Sequence, residues 1–264
     1  MKFSGIIPAR YASTRFPGKP LADMKGKPMI QRVYERVLPT VDDLCIATDD
    51  RRIEEAAKAF GACVVMTSDC HRSGTERCYE AYCKMGTCGD VVINIQGDEP
   101  FIHPRQIELL KHCFDTPDVQ IATLVKPFEP DSDSEDTLFN PNSPKVVLNR
   151  NGDALLFSRS VIPCVRGRKP SEWLTAHTFY RHIGLYAYRA DVLKEIVCLP
   201  PSPLELAESL EQLRWLEHGY RIRTAVTHQE TVGIDTPEDM ERALAMLDEP
   251  DKNREIRSNN SFSK

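Results

Sequence analysis

Apolar positions in the first half of the chain fall into short continuous runs separated by amphipathic stretches. Lys2–Pro8, Leu44–Thr48, Cys63–Met66, Asp90–Ile95 and Gln120–Val125 are such runs and are predicted as strands. Between them, Pro28–Leu38, Asp50–Phe60, the stretch from Ser73 to Gly86, and Pro104–Phe114 repeat their apolar residues at helical spacing. In the first of these, Met29, Ile30, Val33 and Val37 share one face. Pro28 suits a first helical turn, Gly61 and Gly86 suit helix ends, and Ser73 with Glu76 has the spacing of a capping box. Strands apolar on both sides, alternating with helices, predict a mostly parallel sheet with helices on both faces.

The pattern changes in the second half. Lys145–Leu148 and Ala154–Ser158 flank Asn151 and Gly152, the strongest short hairpin signal. Arg166–His177 is polar and reads as a mobile loop. His182–Tyr188 alternates like a half-buried strand, and Leu204–Glu217 reads as one amphipathic helix stopped by Gly219. Arg221–Val226 is a further strand and Pro237–Leu247 a closing helix. The expected organisation is one α/β domain over residues 1–248, an antiparallel insertion near 140–190, and a disordered polar tail at 249–264.

Composition narrows the class. With 264 residues, 41% hydrophobic, 28% charged and a net charge of −5, the chain reads as an ordinary globular protein. An acidic balance argues against nucleic acid or an anionic membrane as partner. No run approaches the roughly 20 apolar residues of a membrane helix. The N-terminus starts directly on a strand-like run, so a cytoplasmic location is expected. The nine cysteines form no C-x-x-C pair and are expected as scattered thiols. Cys70, His71 and Cys78 fit no standard zinc spacing.

Against that acidic background, three cations cluster just after the first strand: Arg10, Arg15 and Lys19, among Ser, Thr, Gly and Pro. In an open α/β sheet this is the carboxyl edge where ligands bind. Two guanidinium forks, one ammonium and a loop with exposed N–H groups make a cradle for a polyphosphate, although a solvated basic loop, or cations paired with surface acids, would look the same. Neither G-x-x-x-x-G-K-[ST] nor G-x-G-x-x-G occurs, which disfavours P-loop and dinucleotide enzymes. Asp98 follows Gly97 at the end of the most apolar strand, and Asp235 precedes Thr236 and Pro237 at a helix start. Two carboxylates at strand ends beside phosphates are a hard-oxygen donor set for Mg²⁺. Each has a plain alternative, Asp98 as a turn residue and Asp235 as a helix N-cap.

The blocks IIPARYASTRFPGKPL, HRSGTERCYE, VINIQGDEP, NPNSPKVVL, FSRSVIP, RHIGLYAYR, SPLELAESLEQLR and GIDTPEDMER resemble, in order from about residue 2 to 247, the 3-deoxy-manno-octulosonate (Kdo) cytidylyltransferases. The resemblance implies a Rossmann-like nucleotidyltransferase fold, a homodimer, Mg²⁺ as cofactor, and transfer of CMP from CTP to Kdo for lipopolysaccharide assembly. It implies that Ala9, Arg10, Arg15, Lys19, Ser73, Gly74, Thr75 and Arg77 bind the nucleotide. Arg10, Arg15, Lys19, Asp98 and Asp235 would carry catalysis, with Asp98 and Asp235 as metal ligands. For the sugar acid it implies Gln96, Arg159, His182, Tyr186 and Glu211, with Arg159 on the carboxylate. A structural role for Arg159 beside Asp153 stays open at this point. So do two rival activities: a cytidylyltransferase for sialic acid or an amino-substituted Kdo, and a non-catalytic nucleotide-binding protein.

Overall fold

Ile6 and Ile7 are adjacent in the first strand and neither is exposed, because they face opposite sides of the sheet into two separate apolar layers. That is the physical content of a continuous apolar run. The structure, a computed structural model, describes residues 1–12, 16–86, 89–229 and 233–248. The expectations for Arg15, Cys88 and the tail at 249–264 lie outside the described residues.

The first half runs β1 (Phe3–Ala9), α1 (Met29–Val37), β2 (Asp43–Thr48), α2 (Arg51–Ala59), β3 (Val64–Met66), α3 (Gly74–Met85), β4 (Val91–Asn94), α4 (Pro104–Cys113) and β5 (Ile121–Pro127). The second half runs α5 (Glu135–Phe139), β6 (Lys145–Leu148), β7 (Ala154–Ser158), α6 (Trp173–Ala176), β8 (Tyr180–Arg189), α7 (Ala190–Ile196), α8 (Pro203–Glu208), α9 (Glu211–Glu217), β9 (Ile222–Val226) and α10 (Pro237–Asp248). The sheet order is β3-β2-β1-β4-β8-β5-β9, with the β6–β7 hairpin attached to β8. Along that order only β8 runs against its neighbours. One layer packs α1, α2 and α4 on the sheet and the other packs α3, α7 and α9, so helices cover both faces.

Two expectations change. The segment predicted as one helix over Leu204–Glu217 is two, because Ser209 adopts φ 50 and separates α8 from α9. The guanidinium of Arg159 takes the carbonyls of Glu208 and Ser209 at that break, and the Glu208 carboxylate accepts from the Ser158 hydroxyl and the Arg159 N–H. The polar stretch Arg166–His177 is not featureless either. It contains α6, whose Trp173 ring stacks on Phe179 with 6.2 Å between centroids and packs against Phe139. This small apolar cluster sits under residues 128–179, and the chain enters and leaves that excursion at one point, where Phe128 N–H donates to Phe179 O at 2.9 Å. Among the described residues no helix is long and apolar enough to cross a membrane.

Candidate active site

Strand order reverses at β1: the chain builds outward through β2 and β3, then restarts on the other side with β4. A crevice opens at the carboxyl ends of β1 and β4 in such a sheet. Three segments meet there. The first is the loop after β1, where Ala9 ends the strand, Arg10 is exposed and Lys19 begins a 3-10 turn, Lys19–Leu21. The second is the turn after β4. Gly97 is required there by close approach, since a side-chain carbon at that position would lie 3.0 Å from Pro8 O. The third is the start of α10.

These segments bring the two predicted carboxylates together. Lys19 Nζ donates to Asp98 Oδ2 at 2.7 Å and to Asp235 Oδ1 at 3.2 Å. The backbone fixes the pairing independently, because Ile234 N–H donates to Asp98 O at 3.0 Å. Asp235 is not the cap of α10. Thr236 Oγ1 accepts from Asp239 N–H while Asp239 Oδ2 accepts from the Asp235 and Thr236 N–H groups, so the capping box belongs to Thr236 and Asp239. Asp98 is one-third exposed and Asp235 half exposed, which leaves both carboxylates within reach of a ligand. Beside them Glu99 is pushed up to about 7, by burial first and by the Asp98 charge second, and its Oε2 is buried without a partner. Two converging carboxylates around one cation fit the hard-oxygen donor set of a divalent metal.

The loop before α3 forms the next wall. Ser73 Oγ accepts from Glu76 N–H, but Glu76 returns its carboxylate to Arg72 N–H, so the predicted capping box closes one residue early. The helix start lies over the ends of β1 and β4, with Gly74 packed toward Pro8 and Asn94. Two residues assigned to the nucleotide by resemblance do other work here. Arg77 is fully buried, donating to Asp49 Oδ2 at 2.6 Å and to Thr67 Oγ1 at 2.5 Å, so its guanidinium braces the scaffold. Thr75 is also buried, and its hydroxyl donates to Glu211 Oε2 at 2.8 Å.

The sugar candidates lie along β8 and α9. Asn94 pairs with Tyr186 across β4 and β8, and Gln96 extends that register by donating from Nε2 to Gly184 O at 2.9 Å. His182 packs edge-on to Phe157 and against Tyr186, and loss of hydration lowers it to about 3, so the ring is neutral. Thr123 Oγ1 lies within hydrogen-bond reach of the Ile183 and Leu185 carbonyls. Its single proton is committed to them, and the 3.1 Å contact with His182 is then assigned as Nε2–H donating to Oγ1. Nδ1 is left as an acceptor. Tyr186 and Tyr188 stack at 5.9 Å, both edge-on to Trp215 at 5.1 and 5.4 Å. Arg159 stands apart from Asp153, which pairs with Arg223 instead. Its guanidinium donates to the Pro141, Glu208 and Ser209 carbonyls.

Thr123, Tyr188 and Trp215 were not visible as site residues in the sequence. Only cross-strand pairing and the packing of α9 bring them to His182 and Tyr186, and no local pattern carries that information.

The chain matches the family described as cytidylyltransferase over residues 4–223. It is 72% identical over 247 residues to 3-deoxy-manno-octulosonate cytidylyltransferase of Parabacteroides distasonis, covering 94% of this chain and 98% of that protein. A protein of the same name from Geobacter metallireducens is 45% identical over 255 residues, with coverages of 94% and 98%. Among solved structures, a CMP:2-keto-3-deoxy-manno-octonic acid synthetase complexed with CTP superposes with a TM-score of 0.85 at 44% identity, covering 94% of this chain and 98% of that one. A glucose-1-phosphate thymidylyltransferase from Bacillus anthracis superposes at 0.61 with 17% identity over 99% and 98%, a likeness of fold alone.

Proposed function

The chain belongs to the cytidylyltransferase family, and we propose that it transfers CMP from CTP to Kdo, giving CMP-Kdo and diphosphate for lipopolysaccharide assembly. The observation that carries the chemistry is the meeting of Asp98 and Asp235 on Lys19 at the switch point of the sheet.

Attack at the α-phosphorus expels diphosphate with growing negative charge. Arg10, Arg15 and Lys19 would hold the triphosphate and stabilise that charge. Lys19 would exchange its carboxylate partners for phosphate oxygens as the nucleotide enters. Asp98 and Asp235 would hold Mg²⁺. When bound, that ion would neutralise phosphate charge and make the sugar hydroxyl a better nucleophile. Ser73 and Gly74, at the positive end of α3, would meet the cytosine. Gln96, His182, Tyr186 and Glu211 would orient the sugar hydroxyls, His182 accepting through Nδ1. Arg159 would take the carboxylate by releasing carbonyls that lie at the α8–α9 break. We further propose a homodimer formed through the hairpin side. Leu155 and Leu156 on β7, with Leu204 and Leu206 on α8, are exposed by 59%, 38%, 43% and 70% and support that reading. The proposed setting is the cytoplasm, where nucleoside triphosphates are at hand.

Diphosphate release from CTP, measured with Kdo, with sialic acid and with no sugar, tests the activity. Release with Kdo alone is expected. Equal release with sialic acid would remove the sugar assignment, and no release with either would leave a binding protein. Light scattering at micromolar concentration should give twice the chain mass of 29.9 kDa, and a monomer mass would overturn the dimer.

A further inference from the structure

Thr75 lies in the segment that resemblance gives to the nucleotide, yet its side chain is bonded to Glu211, which resemblance gives to the sugar. It is the second residue of α3, buried to 2%, and its Oγ1 donates to Glu211 Oε2 across 136 positions of sequence. Glu211 opens α9, so the bond joins the start of one helix to the start of another. The carboxylate is buried, and that burial raises its pKa. Hydroxyl hydrogen bonds from Thr75 and then Ser73 act in the opposite direction. The N–H groups at the start of α3 add a favourable local charge for an anion.

Around this carboxylate lie buried polar atoms whose hydrogen bonding is incomplete. Among the described residues Trp215 Nε1 and Gln212 Nε2 are buried without a hydrogen-bond partner, and Tyr186 OH and Tyr188 OH are buried beside the Thr123, Thr75 and Asn94 side chains without a well-formed bond of their own. Such groups cost free energy unless something completes them. A ligand with several hydroxyls would do so, which is the chemistry of a polyhydroxy sugar acid. Glu211 acts electrostatically on both tyrosines, so its orientation affects the whole wall.

We propose that Thr75 is a positioning residue for the sugar: it holds Glu211 in the orientation that accepts the sugar's hydroxyls, and so ties the loop that meets the base to the wall that meets the sugar. The inference rests on the assignment of this wall to the sugar acid. Removing the Thr75 hydroxyl frees Glu211 to rotate, and the penalty then falls on sugar binding although the altered residue belongs to the nucleotide segment. A hydrogen bond to a charged group supports an effect of about ten- to a hundredfold.

The test is steady-state kinetics on the full chain, with CTP and Kdo varied separately, for Thr75→Val, Thr75→Ser, Glu211→Gln and the double variant Thr75→Val with Glu211→Gln. Thr75→Val is expected to raise KM for Kdo about tenfold or more and leave KM for CTP within about twofold. Thr75→Ser should restore the normal KM for Kdo, and Thr75→Val should add little on top of Glu211→Gln. A rise in KM for CTP with KM for Kdo unchanged would overturn the inference and return Thr75 to the base. So would full additivity in the double variant. If Thr75→Val does not fold, Glu211→Asp withdraws the carboxylate from Thr75 while keeping the charge, and an unchanged KM for Kdo there would overturn it equally. Wild-type protein that releases no diphosphate with Kdo would instead remove the functional reading, a result distinct from any behaviour of the variants.

Discussion

The two ends of the crevice are built on opposite principles. At the phosphate end, Lys19, Asp98 and Asp235 come from three distant loops, and their side chains are 14%, 31% and 50% exposed. At the sugar end, Thr123, His182, Tyr186, Tyr188, Trp215 and Glu211 stand on strands and a helix, packed ring against ring. Charges that must exchange partners when a substrate arrives belong near water, where breaking a pair costs little. Hydroxyl-reading groups belong in a dry wall, where an unmatched donor is expensive and therefore selective. On the proposed reading, one end would supply force and the other discrimination.

The most severe way to break this division is to neutralise the phosphate end. Asp98→Asn and Asp235→Asn should each lower diphosphate release by about two orders of magnitude or more, with thermal stability nearly unchanged. A near-normal rate at limiting Mg²⁺ would show that the altered carboxylate has another task. Arg77→Met tests the border between the ends. It should cost about 3 kcal/mol in urea unfolding, because Asp49 loses its buried cation, while KM for CTP changes little. Preserved stability with a raised KM for CTP would return Arg77 to the nucleotide.

Arg159→Lys probes the sugar end more gently. An ammonium cannot reproduce a planar fork, so KM for Kdo should rise about tenfold with KM for CTP unchanged. A lowered melting temperature with unaltered kinetics would mean that the α8–α9 break is the sole business of Arg159. The smallest effect expected is a pH dependence from His182. Its folded value of about 3 lies below the unfolded one. Between the two the unfolded chain therefore holds a proton that the folded chain lacks, and stability present above about 6.5 is lost as pH falls toward 3. The slope is at most about 1.4 kcal/mol per pH unit. Urea midpoints at pH 6.5 and 5.5 should converge in His182→Gln, and an unaltered difference would place the titration elsewhere. Glu80, held near 2, stabilises the fold fully above its ordinary carboxylate range, and that contribution is lost only as pH falls from there toward 2, below the window of this test.

The strands were legible because buried strands announce themselves by composition, and the Asn151–Gly152 hairpin was readable to its boundaries because the turn signal is local. The chain near 204–217 was not, since its apolar period continues across Ser209. The break depends on Arg159, some fifty positions away. Arg77 and Thr75 were placed by motif alone, and the structure turns both side chains inward, onto Asp49 and Glu211. A residue type next to a recognised motif says which chemistry is present, whereas the fold decides which way the side chain turns. The convergence of Asp98 and Asp235 was expected from placing both at strand ends, but the described residues just before Asp235 form no strand, and Lys19 as the common partner required the loops themselves.

One consequence follows from how residues 128–179 are hung on the sheet. Pro127 pairs with Tyr180 and Phe128 with Phe179, so the excursion begins and ends at the same spot. Its length is then invisible to the strands on either side, and loop closure grows costlier only slowly with added residues. The hairpin is anchored in turn, by β6 on β8 and by the Asp153–Arg223 pair, so the freedom to lengthen or shorten falls on the segments between those anchors. Descendants of this scaffold could vary those segments and acquire a new subunit contact while the register of the sheet passes through unchanged.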